Sequence, residues 1–364
     1  MGEEINALLP LLPTFTIAFV NCQSGGGQGG ELVVLLEKLW DGGKGIVVDL
    51  CCQQKYPHTK KLGIWFPFGV LEGVGTIGLT ILSCGGDGTH SWVWSALASF
   101  YAGNVATNGI VVVPVPIGSG NDISNTLGWG KSLCLSNVEK FFMRLGEGEP
   151  VAMDRWSVVF DNLQPRGHHD GKSFQWQNYL SLGFDAKVAY EFENCRQCCC
   201  GCCFASVVAN QCWYTAIGST KICECCFDVG DVATFYTSGH PNAPWDHLDV
   251  PLGTQAVLLC NIASYGAGMN MWDPHARPGS NPELLNDGKL ELVALSGPFN
   301  FACGRCGCCG FHKLAQSSEV KIALTTTVCI SADGEGWSEA VENGSVTCIE
   351  ISRQGIINTI MAKD

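Results

Sequence analysis

The sequence predicts an α/β protein in which a doubly wound N-terminal domain on a parallel sheet is followed by a β-rich, sandwich-like second domain. Three observations carry this. In the first half, apolar runs of strand length end in glycine turns that restart as helices. After about Gly148 the apolar runs shorten, and valine, threonine, tyrosine and glycine alternate, as in antiparallel β structure. The chain is 364 residues long, 46% hydrophobic and 15% charged, which suits two domains with sizeable cores.

Thr14–Asn21 reads as the first strand and Cys22–Gly30 as a Ser/Gly loop. Glu31–Trp40 reads as a helix, with Leu32, Leu35, Leu36 and Leu39 on one face, and Gly45–Leu50 as a second strand. The order is that of a βαβ unit and implies parallel pairing. A third strand, Gly73–Leu82, runs into Cys84-Gly85-Gly86-Asp87-Gly88-Thr89-His90, and a helix follows to about Tyr101. A fourth, Ile110–Val115, runs into Pro116-Ile117-Gly118-Ser119-Gly120-Asn121-Asp122, and Ile123–Leu127 begins another helix. Parallel strands place their C-terminal loops along one sheet edge, so the loops at Ser24–Gly30, Gly85–Thr89 and Gly118–Asp122 are predicted to converge. Bare backbone N–H groups at a helix start make a phosphate site. A carboxylate there, Asp87, is tolerated only if it holds a metal or accepts a proton.

The second half has candidate strands at Met153–Phe160, Gln177–Leu182, Val232–Thr237, Thr254–Ile262, Lys289–Leu295, Val320–Ala323 and Val328–Ser331. The expected domains are 1–148, 149–340 and a C-terminal segment 341–364. Within that segment Gly355–Ala362 has no strong signal and either returns to the first domain or frays.

The formal charge of −13 argues against nucleic acid and against a polybasic route to anionic membranes. No apolar run reaches the roughly 18 residues of a transmembrane helix. Leu8–Val20 is broken by prolines and preceded by Glu3 and Glu4, a poor signal peptide. Met1-Gly2 lacks the Ser or Thr at position 6 that myristoylation needs. The 22 cysteines, with no secretory signal, read as mostly reduced thiols of a cytosolic protein. Gly25, Gly27 and Gly30 fit G-x-G-x-x-G, with Asp49 about 20 residues on, so a nicotinamide-dependent Rossmann enzyme is one alternative. Gly42-Gly43-Lys44-Gly45 lacks the Ser/Thr of a P-loop and precedes a strand.

Eight stretches in order resemble the eukaryotic diacylglycerol kinases, without their regulatory modules. They are Gly85–Thr89; Pro116–Asp122; Thr126-Leu127-Gly128-Trp129-Gly130; Met153-Asp154-Arg155-Trp156; Asn178–Ala186; Asn261-Ile262-Ala263-Ser264-Tyr265; Asn286–Glu291; and Asp333-Gly334-Glu335-Gly336-Trp337. The resemblance implies a first domain like that of the NAD kinases and phosphofructokinases, a β-sandwich second domain, and an active-site cleft between them. It implies ATP- and magnesium-dependent phosphorylation of the free hydroxyl of diacylglycerol to phosphatidic acid, by a cytoplasmic protein working peripherally at membranes. Sphingosine and ceramide kinases are the near rivals. Thr126–Gly130 and Asn178–Ala186 favour diacylglycerol.

The resemblance places the nucleotide on Ser24, Gly25, Gly85, Gly86, Asp87, Gly88, Thr89, Gly118, Ser119, Gly120 and Asn121. Three carboxylates, Asp87, Asp333 and Glu335, share the catalytic candidacy. Bacterial relatives point to Glu335 or Asp333 as the base, and sphingosine kinases point to Asp87. Magnesium falls to Leu284, Asp287 and Lys289, the outer two through backbone carbonyls, which suit a hard cation. Taken alone, Asp333-Gly334-Glu335 and Asn286-Asp287-Gly288 read as ordinary turns.

The chain departs from the family in two ways. Cys22 and Gln23 stand where the family prefers proline and often a basic residue, and Asn125 where arginine is common. Both changes remove positive charge near the expected phosphates, so weaker ATP affinity, a heavier reliance on magnesium, or a pseudokinase is implied. Cysteines cluster at Cys195–Cys203, Cys223–Cys226 and Cys303–Cys309, with Cys195-x-x-Cys198 and Cys303-x-x-Cys306 pairs. Zinc binding, S-acylation and no role at all are the three readings of these clusters.

Overall fold

In the computed structural model, residues 15–40, 45–51, 58–61, 64–67, 71, 79–101, 109–162, 172–198, 207–220, 227–241, 243–266, 268–271, 285–305 and 310–363 are described. The chain divides into two compact units, one of residues 1–153, 205–207 and 356–364, the other of 154–204 and 208–355. The first unit therefore runs beyond Gly148, and it regains the chain's last residues.

In the first unit, β1 (Thr16–Val20), β2 (Gly45–Asp49), β3 (Thr80–Gly85) and β4 (Val111–Pro116) pair in parallel in the order β2-β1-β3-β4. Every residue of β1 and β3 is buried, as expected of central strands covered on both faces. Helices α1 (Gln28–Leu39), α2 (Asp87–Phe100), α3 (Asp122–Thr126) and α4 (Val138–Glu147) connect or follow these strands. Helix α1 starts three residues before the sequence suggests, because left-handed Gly27 (φ 104°) serves as its N-cap. Strand β3 ends at Gly85, past the expected Leu82. The start of the predicted Gly73–Leu82 strand lies outside the described residues. Helix α4 buries Val138, Phe141, Phe142 and Leu145, the i, i+3, i+4, i+7 face of an amphipathic helix.

In the second unit, β5 (Glu149–Phe160, which begins in the first), β6 (Ser173–Trp176), β7 (Tyr179–Gly183), β8 (Ala233–Ser238), β9 (Asp246–Leu248), β10 (Ala256–Cys260), β11 (Leu290–Leu295), β12 (His312–Ser317), β13 (Glu319–Leu324), β14 (Val328–Ala332), β15 (Glu335–Glu339) and β16 (Thr347–Met361) form two antiparallel layers. One has the order β12-β11-β10-β7-β14-β15. The other has β9-β8-β13-β16, with β5 and β6 beside it. A single core lies between them. Trp156, Val158, Phe160, Phe235, Ile322 and Ile349 enter it from the second layer, and Leu180, Leu182, Val257, Leu259, Leu292 and Ile330 from the first. Residues at i, i+2 and i+4 of β5 point inward while Val159 is 42% exposed, the alternation of a sandwich strand.

Several helices stand outside the expected strand pattern of the second half, among them α5 (Phe184–Cys198) and α6 (Val207–Thr220). Val188 and Phe192 of α5 pack with Ile217 of α6. Helix α5 also lies against β15 so closely that a Cβ at Gly336 would sit 2.4 Å from Tyr190 N. Gly355–Met361, within the segment that had no sequence signal, is the end of β16. Its residues return to the first unit, where Trp129 Nε1 donates to Ile360 O (2.8 Å) and Ala362 N to Leu127 O (2.9 Å).

Candidate active site

The three glycine turns of the first unit touch one another through bare backbone. Gly118 and Gly86 are packed so tightly that a Cβ on Gly118 would lie 2.3 Å from Gly86 Cα. A Cβ on Gly25 would lie 2.2 Å from Ile117 O, in a residue that is also left-handed (φ 63°). Asp87 N donates to Gly120 O (3.0 Å), and Ile117 N and Gly118 N both donate to Gly85 O. Ser24 Oγ reaches Ile117 O at 3.5 Å. The convergence expected from parallel topology is therefore present at atomic distances. At the start of α2, Gly88 N and Thr89 N have no carbonyl one turn back, which leaves them directed outward along the helix axis.

Polar side chains lock this arrangement. The Asp87 carboxylate accepts Asp122 N (2.9 Å) and Ile123 N (3.2 Å), the first two N–H groups of α3, so it ties the second turn to the third. Asn121 accepts Gly118 N and donates to Gly118 O (2.8 Å) and Lys131 O (2.7 Å). Asn21 Nδ2 donates to Thr89 Oγ1 (3.1 Å), tying the first turn to the second. His90 is fully buried against Ser83 Oγ (3.0 Å), and burial pushes its pKa down to about 3, so it is neutral. Asn125, where the family often has arginine, is buried in α3.

In the second unit, Asp333-Gly334 is the two-residue turn between β14 and β15, with both residues left-handed (φ 50° and 85°). That is a type I′ hairpin turn. The Asp333 carboxylate accepts from Gln177 N, Asn178 N (2.7 Å) and Tyr179 N, which pins the hairpin tip to the start of β7. Arg155, 5% exposed, is pushed down to about 10 by burial, against the opposing pull of Asp333. Glu335, the first residue of β15, is half-buried.

Asp154, Asn178 and Asn261 join the same region from three elements. Asn261 Nδ2 donates to Asp154 O and Gln177 O, its Oδ1 accepts Trp156 Nε1 (2.7 Å), and its N donates to Asn178 O. The buried Asp154 carboxylate accepts Gly288 N (2.7 Å) and pairs with Arg353 Nε and Nη2, both at 2.6 Å. Burial raises its pKa, opposed by Gly288 N and Arg353. The turn that Asp154 holds carries Asp287, exposed, with Oδ1 accepting Lys289 N (2.9 Å). An exposed carboxylate is a hard-oxygen donor, the ligand type that fits magnesium. Leu284 lies outside the described residues.

Sequence models of known families match both halves of the chain, that of the diacylglycerol kinase catalytic domain over residues 16–155 and that of the accessory domain over 175–336. The chain belongs to the diacylglycerol kinase family. Diacylglycerol kinase 2 of Arabidopsis thaliana is 26% identical over 358 residues, covering 93% of this chain and 45% of the plant protein. Diacylglycerol kinase theta of Homo sapiens is 25% identical over 347 residues, covering 93% of this chain and 34% of the human one. The chain thus spans less than half the length of these relatives. A solved structure of a candidate diacylglycerol kinase from Bacillus anthracis str. Sterne aligns over 96% of this chain and 97% of its own, with TM-score 0.51 and 12% identity, a likeness of fold.

Membership in the diacylglycerol kinase family leaves the nicotinamide alternative without support. Asp49, its would-be ribose partner, accepts Cys51 N instead (2.8 Å). Among the clustered cysteines only Cys195 and Cys303 have described side chains, so the predicted zinc pairs lie outside the described residues. No helix among the described residues is long and apolar enough to cross a membrane. Arg353 was missed by sequence reasoning, and Asp154, Arg155 and Asn261 were noticed only as family matches. Nothing local marks them, because their partners stand 134 and more residues away for Asp154, and 105 for the Asn261–Trp156 pair.

Proposed function

We propose that this chain transfers the γ-phosphate of ATP to the free hydroxyl of diacylglycerol, giving ADP and phosphatidic acid. The observation that carries the reading is the interlocked glycine turns at Gly25, Gly85–Gly86 and Gly118–Gly120. There the backbone comes close enough to exclude side chains, and the start of α2 offers N–H donors. The ATP phosphates are assigned to these turns, with Ser24, Thr89, Ser119 and Asn121 as polar flanks. Phosphoryl transfer is mostly positioning and charge neutralisation. Magnesium, when bound, supplies that neutralisation, and Asp287 with the carbonyl of Lys289 fits it.

Among the three carboxylates, Asp87 and Asp333 are engaged with backbone N–H groups and are assigned to positioning. Glu335, half-buried at the first position of β15, is assigned as the base that takes the proton of the attacking hydroxyl, one of the two positions to which the resemblance to bacterial relatives points. Because diacylglycerol resides in lipid surfaces, the protein is expected to act peripherally at a membrane. The deciding assay uses γ-labelled ATP with diacylglycerol, sphingosine and ceramide, each in mixed micelles, with and without magnesium. Magnesium-dependent label in phosphatidic acid supports the reading. Label in the sphingoid lipids alone, or in none of the three, refutes it.

A further inference from the structure

Cys22, Asp49 and Cys51 were not brought together by any sequence pattern. Cys22 lies two residues past the end of β1 and Cys51 two past the end of β2, 29 positions away in the chain. The parallel register Val20↔Asp49 sets the two strand ends side by side, and Leu50 N donates to Val20 O (2.9 Å). As a result one donor atom from each residue, two sulfurs and a carboxylate oxygen, lies within 4.8 Å of both others. All three residues are half-buried, which leaves an approach from solvent. We propose that Cys22, Cys51 and Asp49 form a zinc-binding site that clips the ends of β1 and β2 together at the root of the first glycine turn.

The donor set selects the metal. Two thiolates with one carboxylate suit zinc, which binds sulfur at about 2.3 Å and oxygen at about 2.0–2.2 Å in a tetrahedron, and do not suit magnesium or calcium. Sulfurs on such a tetrahedron stand under 4 Å apart, so the preformed spacing closes on the ion with small side-chain rotations. Without a metal the three groups hold one another through protons. Burial, and then Cys51 and Asp49, push the Cys22 thiol up. Zinc would displace the protons of both thiols, and the charge balances. Two neutral thiols and a carboxylate carry −1, and zinc with two thiolates and a carboxylate also carries −1. The metal therefore adds no positive charge to the neighbouring phosphate turn. Its effect is to fix the strand ends at the root of the first turn; Asn21, which accepts from the Cys51 thiol (3.6 Å) in the metal-free protein, loses that donor and keeps its bond to Thr89. The fourth coordination position is left to water.

The test needs no kinase activity, so it stands or falls apart from the proposed function. The metal-stripped, reduced chain of 364 residues is titrated with zinc against a chromophoric chelator, and with cobalt to read the thiolate charge-transfer band. Cys22→Ser combined with Cys51→Ser is expected to lose about one zinc equivalent per chain and to weaken the cobalt band. Asp49→Asn is expected to lower affinity about 10-fold or more, since a direct ligand matters at least as much as the outer partners whose loss has that effect. In the wild type, alkylation followed by peptide mapping should show zinc shielding Cys22 and Cys51 together, a readout that survives if the variants misfold. Unchanged zinc stoichiometry in a folded double variant, or shielding confined to the cysteines of 195–203, 223–226 and 303–309, would overturn the site.

Discussion

Asp333 and Glu335 are two residues apart, and the proposed function gives them different work. Asp333 receives three backbone N–H groups at the tip of its hairpin and lies near buried Arg155. Removing the carboxylate leaves those buried N–H groups unpaired, a loss of about 1–3 kcal/mol for a buried unsatisfied donor, and takes away the pull that opposes burial at Arg155. Asp333→Ala is therefore expected to lower the unfolding midpoint in denaturant as well as activity. Glu335→Gln is expected to keep the midpoint while kcat falls about 100-fold or more, the usual share of a general base. Equal loss of stability in both variants would return Glu335 to a structural role.

Glu291 adds a pH dependence. It is 3% exposed in β11, and burial raises its pKa from 4.5 to about 7, against a hydrogen bond from Gln316. Its folded-state pKa lies above the unfolded value, so folding binds a proton. The stabilisation is full below about pH 4.5 and is lost as pH rises through about 7. Glu291→Gln removes the ionisation, so it should raise the melting temperature at pH 8 more than at pH 5. Thermal melts at the two values decide this, and equal shifts would mean that Glu291 ionises without penalty.

Among elements, the glycine turns give the sharpest contrast. Gly118→Ala drives a methyl group into Gly86 backbone at 2.3 Å, which nothing flexible can relieve, so ATP binding and stability should both fail. Gly218, inside α6, has nothing within 4 Å of a built Cβ. Gly218→Ala should stabilise by about 0.5–1 kcal/mol through helix propensity and leave activity alone. Denaturant midpoints of the pair check both. A tolerated Gly118→Ala would mean the turns are free to move apart. The same elements show what single-chain patterning conveys. The strand–turn–helix order announced the convergence, because parallel strands must end on one edge. Helix α5 was hidden, because from its twelfth position, Cys195, it runs into a cysteine-rich stretch and its buried face is short, Ala186, Val188, Ala189 and Phe192.

At the scale of the molecule, each unit has its own core, so one cooperative transition is not required. On the proposed assignment ATP sits on the glycine turns, so it should raise the melting of the first unit by mass action, about 2.7 kcal/mol at a ligand concentration 100 times Kd, while magnesium at Asp287 acts on the second. Calorimetry with and without the ligands is the check. A single transition that shifts as a whole would show that the units melt as one.

The sequence by itself determined the α/β-then-β architecture and the three glycine turns that converge. It also determined membership in the diacylglycerol kinase family, through eight short motifs in order. These are local patterns: apolar runs, glycines where no Cβ fits, and dipeptides that make turns. Only the tertiary structure decided what the carboxylates hold. Asp87 caps α3, Asp333 pins β7, and Asp154 joins Gly288 to Arg353 across 199 residues of chain. Only the tertiary structure, too, brought Cys22 and Cys51 to neighbouring strand ends. A hydrogen-bond partner or a metal ligand is chosen by distance in space. Sequence spacing reports that distance within a turn or a helix, and loses it once a strand pairs with another that lies far along the chain.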